Sequence, residues 1–206
     1  VPPLVSPIRI DVASSNPGKL REYRDLAAGQ PIQLEIVPGI ADVPPFEETA
    51  HTFAENSAGK AIYYSRLSSE PVIADDSGLV VPALGGAPGV HSARYAGPNA
   101  SDSDRVKKLL AEMHGKTSVD RRARFVCILT LAQAGHAIAV FSDTVEGTLA
   151  EEPRGTGGFG YDPIFYFEKL AKTYAEIPRE LKNEYSHRGR AFRKLLKFLL
   201  TDEFYI

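Results

Sequence analysis

Apolar and polar positions alternate with period two over residues 9–13 (RIDVA), the mark of a short strand. The period then lengthens: Leu20, Tyr23, Leu26 and Ala27 recur at helical spacing after SSNPGK, so the chain opens as strand, turn and helix. Residues 33–37 predict a second strand and residues 38–48 a loop rich in proline and acid. A helix begins at Thr52, where Thr-Phe-Ala-Glu is a capping box and Ala54, Ala58, Ala61 and Ile62 form the predicted inward stripe. Residues 71–74 read as a buried strand delivering DDSG, and residues 85–97, containing GGAPG, as a turn-rich loop. Residues 104–113 predict a helix. Residues 124–131 and 137–141 predict strands around an Ala134-Gly135 turn, and residues 144–149 a further strand. Ser186 caps a last helix over residues 186–200, with Phe192, Leu195, Leu196 and Leu199 facing the core. Strands that alternate with helices early and neighbour one another late predict an α/β protein with a mixed sheet.

Composition narrows the class. With 206 residues, 43% of them hydrophobic and 24% charged, the chain can bury a real core, which excludes a disordered protein. The longest apolar run, residues 125–132, falls far short of the roughly 18 residues of a membrane-spanning helix. The opening VPPLVSP has neither a basic nor an apolar signal region, so a soluble, cytoplasmic protein is expected. The single cysteine, Cys127, lies inside the apolar run and reads as a core side chain. A net charge of −2, from 24 basic and 26 acidic residues, argues against a sequence-independent nucleic-acid binder, which shows a basic excess. An anionic ligand must then be held by local charge.

Residues that break local rules mark the candidate chemistry. Asn16 and Pro17 suit a helix start, yet Lys19 puts a positive charge in the first turn, against the helix dipole. A bound anion would reverse that penalty, with backbone N–H groups, Gly18 and the Lys19 ammonium forming a phosphate cradle; a solvated surface lysine is the plain alternative. The last helix repeats the anomaly with His187 and Arg188 in its first turn, which could grip a phosphate or a carbonyl, whereas Arg190, Arg193, Lys194 and Lys197 read as a solvated face. Asp75 and Asp76 follow an apolar strand, where α/β sheets place ligands, and a carboxylate there can ligate Mg²⁺ or activate water. Glu47 and Glu48 are candidate further metal ligands, or a merely solvated pair. Ser77 lacks a nucleophile elbow and reads as a ligand contact. The stretch GTGGFGYDPIF, residues 155–165, sets glycines beside Phe159 and Tyr161 with Asp162 as an acceptor, a composition that suits a base pocket or a structural turn.

In order, SSNPGK, EET followed by TFAEN and Lys60, IADDSG, LGGAPGVHSARYAG, GTGGFGYDPIF and SHRG closely resemble the noncanonical purine nucleoside-triphosphate pyrophosphatases, the inosine/xanthosine triphosphate pyrophosphatase family. The resemblance runs from about residue 10 to residue 196. It implies one domain over residues 1–206, an elongated twisted mixed sheet flanked by helices, with two lobes around a central nucleotide cleft. It also implies a homodimer and Mg²⁺-dependent hydrolysis of ITP, dITP and XTP to monophosphate and pyrophosphate, cleansing the nucleotide pool. Carried over by position, Ser14, Ser15, Asn16, Pro17, Gly18 and Lys19 look like a triphosphate-binding loop, with Lys60 facing the phosphates. Asp76 looks like the proton acceptor and a metal ligand, with Glu47 as partner ligand and Glu48 a close substitute. Ser77 aligns with a substrate contact, Phe159, Gly160, Tyr161 and Asp162 with the base loop, and Lys182, His187 and Arg188 with the remaining contacts. Ala50 stands where the family commonly has glycine, which would restrict the backbone if a positive φ were required there. Two rival readings stay open: a pyrophosphatase for other modified or pyrimidine triphosphates, and a catalytically silent nucleotide-binding module.

Overall fold

A computed structural model describes residues 7–201. The VPPLVSP segment, apart from Pro7, lies outside those residues. The first strand, β1 (Ile8–Val12), leads into α1 (Pro17–Ala27) and then β2 (Ile32–Ile36), which lies parallel to β1 with Ile10 opposite Leu34. Parallel neighbours need a crossover, and α1 supplies it. Its start follows local chemistry: the Asn16 Oδ1 accepts the N–H groups of Gly18 at 2.9 Å and Lys19 at 3.1 Å, with Pro17 at the first position.

After the proline-rich loop come α2 (Phe53–Tyr64) and β3 (Val72–Val80), whose residues Val72 and Ile73 pair in parallel with Asp11 and Val12 of β1. The cap of α2 is as expected in part. Thr52 Oγ1 accepts the Glu55 N–H, but the Glu55 carboxylate accepts from the Thr52 hydroxyl rather than from the cap N–H. The inward stripe also differs: Ala54 is exposed, and the buried face is Asn56, Ser57, Ala61 and Tyr64. Ser57 faces inward because its hydroxyl donates to the Ala74 carbonyl at 3.1 Å and shares a 2.8 Å hydrogen bond with Thr130, so its burial leaves no polar atom unmet.

The expected 85–97 loop contains a 3₁₀ segment, Gly89–Arg94. Next come α3 (Asp102–Glu112), closed by a Ser101–Asp104 capping box, β4 (Arg122–Gln133) and β5 (His136–Leu149). The strands expected at 137–141 and 144–149 are thus one strand. The turn before it carries φ of +48° at Ala134 and +83° at Gly135, the left-handed pair of a tight hairpin. Two short strands, β6 (Phe165–Phe167) and β7 (Lys172–Thr173), continue antiparallel, and α4 (Arg179–Tyr185) and α5 (His187–Leu199) end the fold. The result is a seven-stranded mixed sheet in the order β2-β1-β3-β4-β5-β6-β7 with helices around it.

The chain divides into two units. The first comprises Val1–Asp76, Ile128–Ser142 and Ala191–Ile206, and the second Ser77–Cys127 and Asp143–Arg190. Ala13, Val37, Ala61, Tyr64, Val72, Ala74 and Ala132 form a core of the first. Also in this unit, Phe192, Leu195 and Leu199 are fully buried, as their spacing predicts, and Phe192 meets the Tyr23 ring at 5.6 Å. The second is richer in aromatics: Phe125 packs on Phe165 and stacks parallel to Tyr174, among Leu79, Leu109, Met113, Leu149 and Ile164. Cys127 is fully buried, as expected. Among the described residues, no helix is long and apolar enough to cross a membrane.

Candidate active site

In the first unit, acids and lysines converge at the C-terminal end of its stretch of β3. Strand geometry persists through DDSG, so Asp75 and Asp76 point to opposite faces, and both are buried. Lys19, from the first turn of α1, reaches the Asp75 Oδ2 at 3.0 Å and its carbonyl at 3.4 Å. The ammonium that opposes the α1 dipole therefore has an internal counter-charge. The N–H groups of the SSNPGK turn are likewise engaged within it: Gly18 and Lys19 donate to Asn16, and Asn16 donates to the Ser14 Oγ at 3.2 Å. Ser15 and Pro17 are exposed and Gly18 is buried.

Asp76 is surrounded differently. Its Oδ2 is buried with no hydrogen-bond partner among the described residues. Burial pushes its carboxyl up from 3.8 to about 6, the negative charge of Glu48 adds to the rise, and Lys19, Lys60 and a polar contact with Asn56 oppose it. Lys60 pairs with the Glu48 carboxylate. Burial pulls its ammonium down, but Glu48, Asp75 and Asp76 together outweigh that and leave its pKa above the ordinary lysine range. Glu47 is exposed, whereas Glu48 is half-buried and is the acid that acts on Asp76.

The acid-rich loop is pinned by Asn56, the last residue of the TFAEN motif. Its Oδ1 accepts the Ala50 N–H at 3.0 Å and its Nδ2 donates to the Ala50 carbonyl at 3.3 Å. Ala50 is not among the positive-φ residues, so the alanine imposes no strain. The available signal was an asparagine inside a helix, against propensity.

Divalent hard cations take carboxylate, phosphate and water oxygens, and the unmet Asp76 Oδ2 beside Glu48 is a donor set of that kind. Among the described residues, no group of three or more His, Cys, Asp and Glu side chains gathers as a metal centre.

In the second unit, Arg188 Nη2 donates to the Ser77 Oγ at 2.7 Å, and the Arg188 guanidinium carbon lies 5.6 Å from the Phe159 ring centre. Lys182 Nζ lies 4.8 Å from that ring and pairs with Asp162. His187 is buried and stacks on Phe125 at 4.7 Å with planes 7° apart, fixing its ring plane. Asp162 was expected to offer an acceptor to a ligand, but its Oδ2 accepts from the Phe159 N–H at 2.8 Å and from Lys182. Tyr161 is buried and donates to the Ser92 carbonyl at 2.9 Å. The half-buried Phe159 ring is thus flanked by two cations, Lys182 and Arg188. Gly158 permits this turn, since a Cβ there would lie 2.0 Å from the Asp162 Oδ2. Arg190, expected on a solvated face, is half-buried instead, 3.7 Å from Asp143 and donating to the Thr144 carbonyl at 3.4 Å.

The Ham1 family model matches residues 10–198. The chain is 50% identical over 186 residues to a dITP/XTP pyrophosphatase of Geobacillus kaustophilus, covering 90% of this chain and 91% of that protein. It is 46% identical over 187 residues to one of Geobacter sulfurreducens, covering 91% and 94%. Among solved structures, a HAM1 protein from Coxiella burnetii superposes with a TM-score of 0.83 at 40% identity, over 93% of this chain and 98% of that one. The Staphylococcus aureus Ham1 protein gives 0.81 at 41% identity, over 93% and 97%.

Proposed function

The chain belongs to the Ham1 family, and from that membership we propose that it hydrolyses dITP, ITP and XTP to the nucleoside monophosphate and pyrophosphate. The observation that carries the reading is Asp76: a buried carboxylate with an unmet oxygen, acted on by Lys19, Lys60 and Glu48. With its carboxyl at about 6, Asp76 is mostly ionised at neutral pH yet basic enough to take a proton from an attacking water. That water attacks the α-phosphorus, and pyrophosphate leaves. Lys19 and Lys60 turn from their carboxylate partners toward the phosphates and offset the charge developing on the leaving group. Asp76 and Glu48, with Glu47 beside it, would hold Mg²⁺, which when bound neutralises triphosphate charge and polarises its phosphorus–oxygen bonds.

The turn Ser14, Ser15, Asn16, Pro17, Gly18 and Lys19 takes the triphosphate. In the second unit, Phe159 stacks on the base, Gly160, Tyr161 and Asp162 shape the loop beneath it, and Lys182 holds Asp162. His187 and Arg188 donate toward a 6-oxo group, which hypoxanthine and xanthine carry and adenine lacks; Ser77 orients Arg188. The chain acts as a single pyrophosphatase domain, in the cytoplasm, as a homodimer that clears deaminated purine nucleotides.

The test is pyrophosphate release from ITP, dITP, XTP, GTP and ATP, each with and without Mg²⁺. Release that depends on Mg²⁺ and is concentrated on the first three supports the reading. Equal hydrolysis of ATP, or orthophosphate as the product, would refute it.

A further inference from the structure

The aromatic loop of the second unit is fixed by a carboxylate that has none of the roles above. Successive loop residues are tied down: the Phe159 N–H donates to Asp162, the Gly160 N–H to the Asp102 Oδ2 at 2.7 Å, and the Tyr161 hydroxyl to the Ser92 carbonyl. The Asp162 N–H returns to the Phe159 carbonyl at a longer 3.3 Å. Packing does little at the tip. Gly160 has φ of +63°, and a Cβ there would meet nothing within 4 Å, so hydrogen bonding rather than contact sets the peptide between Phe159 and Gly160.

Asp102 opens α3, whose N-terminus is already satisfied by the Ser101–Asp104 capping box, so its carboxylate is not needed as a cap. It is itself held still. The Oδ1 pairs with the Arg105 guanidinium, and Arg105 Nη1 donates to the carbonyls of Ala93 at 2.8 Å and Ala100 at 2.7 Å. A fixed guanidinium thus fixes the carboxylate, and the carboxylate fixes the loop tip.

We propose that Asp102 is a positioning residue for base discrimination, acting through the Gly160 N–H to hold the Phe159 ring in register with a purine. The inference rests on the reading of residues 159–162 as the base loop.

Its test uses Asp102→Ala and Asp102→Asn, with initial rates of pyrophosphate release from ITP and GTP over a range of concentrations. Asparagine retains an acceptor for the Gly160 N–H but, like alanine, lacks the charge that pairs with Arg105. For Asp102→Ala, KM for ITP rises roughly tenfold, the size of one hydrogen bond to a charged acceptor, with kcat little changed and a smaller preference for ITP over GTP. For Asp102→Asn, both KM and preference return toward those of the parent chain. Equal impairment of the two variants would assign Asp102 to the ion pair alone, and an unimpaired Asp102→Ala would remove the role; either overturns the proposal. Phe159→Ala separates the levels. If it shifts KM and preference while Asp102→Ala does not, the positioning role fails and the base loop stands; if it shifts neither, both fail.

Discussion

Replacing Asp76 by asparagine should make the metal-free chain more stable while abolishing turnover. The carboxyl is raised from 3.8 to about 6, so the folded state prefers the neutral form, and asparagine is a neutral mimic of the same shape. Between those two values the folded chain keeps a proton that the unfolded chain releases. Stability therefore falls as pH rises through this window, and the penalty is complete above about 6. A displacement of this size corresponds to about 3 kcal/mol at neutral pH, or roughly 6–12 °C in Tm for a chain of this length. The assay is thermal unfolding of parent and Asp76→Asn in the presence of a chelator, from pH 4 to pH 7.5. The variant should gain most at pH 7.5, and the gain should fade toward pH 4, where both chains are neutral at this position. A variant less stable than the parent at pH 7.5, or a difference independent of pH, would refute the claim that Asp76 is buried at a cost.

The same protonation should govern cation binding. The affinity of the nucleotide-free chain for Mn²⁺, followed by electron paramagnetic resonance, is expected to weaken as pH falls through about 6, because the proton and the cation compete for Asp76. Lys19→Met should cost about 3 kcal/mol in unfolding experiments, since it strips a partner 3.0 Å away from the buried Asp75, and adding Asp75→Asn should recover most of that loss. Gly189→Ala places a Cβ 1.8 Å from the Asn183 carbonyl oxygen and should destabilise by about 3 kcal/mol or more, seen as a large drop in Tm. Phe125→Ala removes the ring stacked on His187 and should cost about 3–5 kcal/mol in denaturant unfolding.

Features of the fold that depend on near neighbours could be read from the chain. Asn16 and Pro17 mark the start of α1 because capping is a local act, and the spacing of Phe192, Leu195 and Leu199 marks a buried helix face because helical geometry alone puts them together. What misled were polar residues whose partners lie far along the sequence. Ser142 and Asp143 read as a break between two strands, but the Ser142 carbonyl accepts from Lys194 at 2.6 Å and Asp143 faces Arg190, so β5 runs through. Asn56 and Ser57 displaced alanine from the inner face of α2 because Ala50, Ala74 and Thr130 supply their hydrogen bonds. Lys19 stands out as a positive charge in a first helical turn, and its partner Asp75 lies 56 positions away, beyond the reach of any local rule. The candidate site was legible as a set of motifs, and its internal wiring was not.

That wiring explains why one carboxylate differs from its neighbours. Around Asp76 the first unit gathers two ammonium groups, Lys19 and Lys60, and three carboxylates, Asp75, Asp76 and Glu48. Asp75 faces Lys19 and Glu48 faces Lys60, which leaves Asp76 to carry the surplus negative charge in a place that water barely reaches. A proton relieves that surplus below about pH 6; above it, the divalent cation of the proposed reading would do so. A triphosphate brings the opposite need, for positive charge, and both lysines are already within the cluster. On the proposed reading each would exchange a carboxylate for a phosphate oxygen, so that charge would be transferred between partners rather than newly buried. On the proposed reading, the cost of the Asp76 charge in the metal-free chain and the fit of the site to a metal-bound triphosphate would both follow from one unbalanced charge.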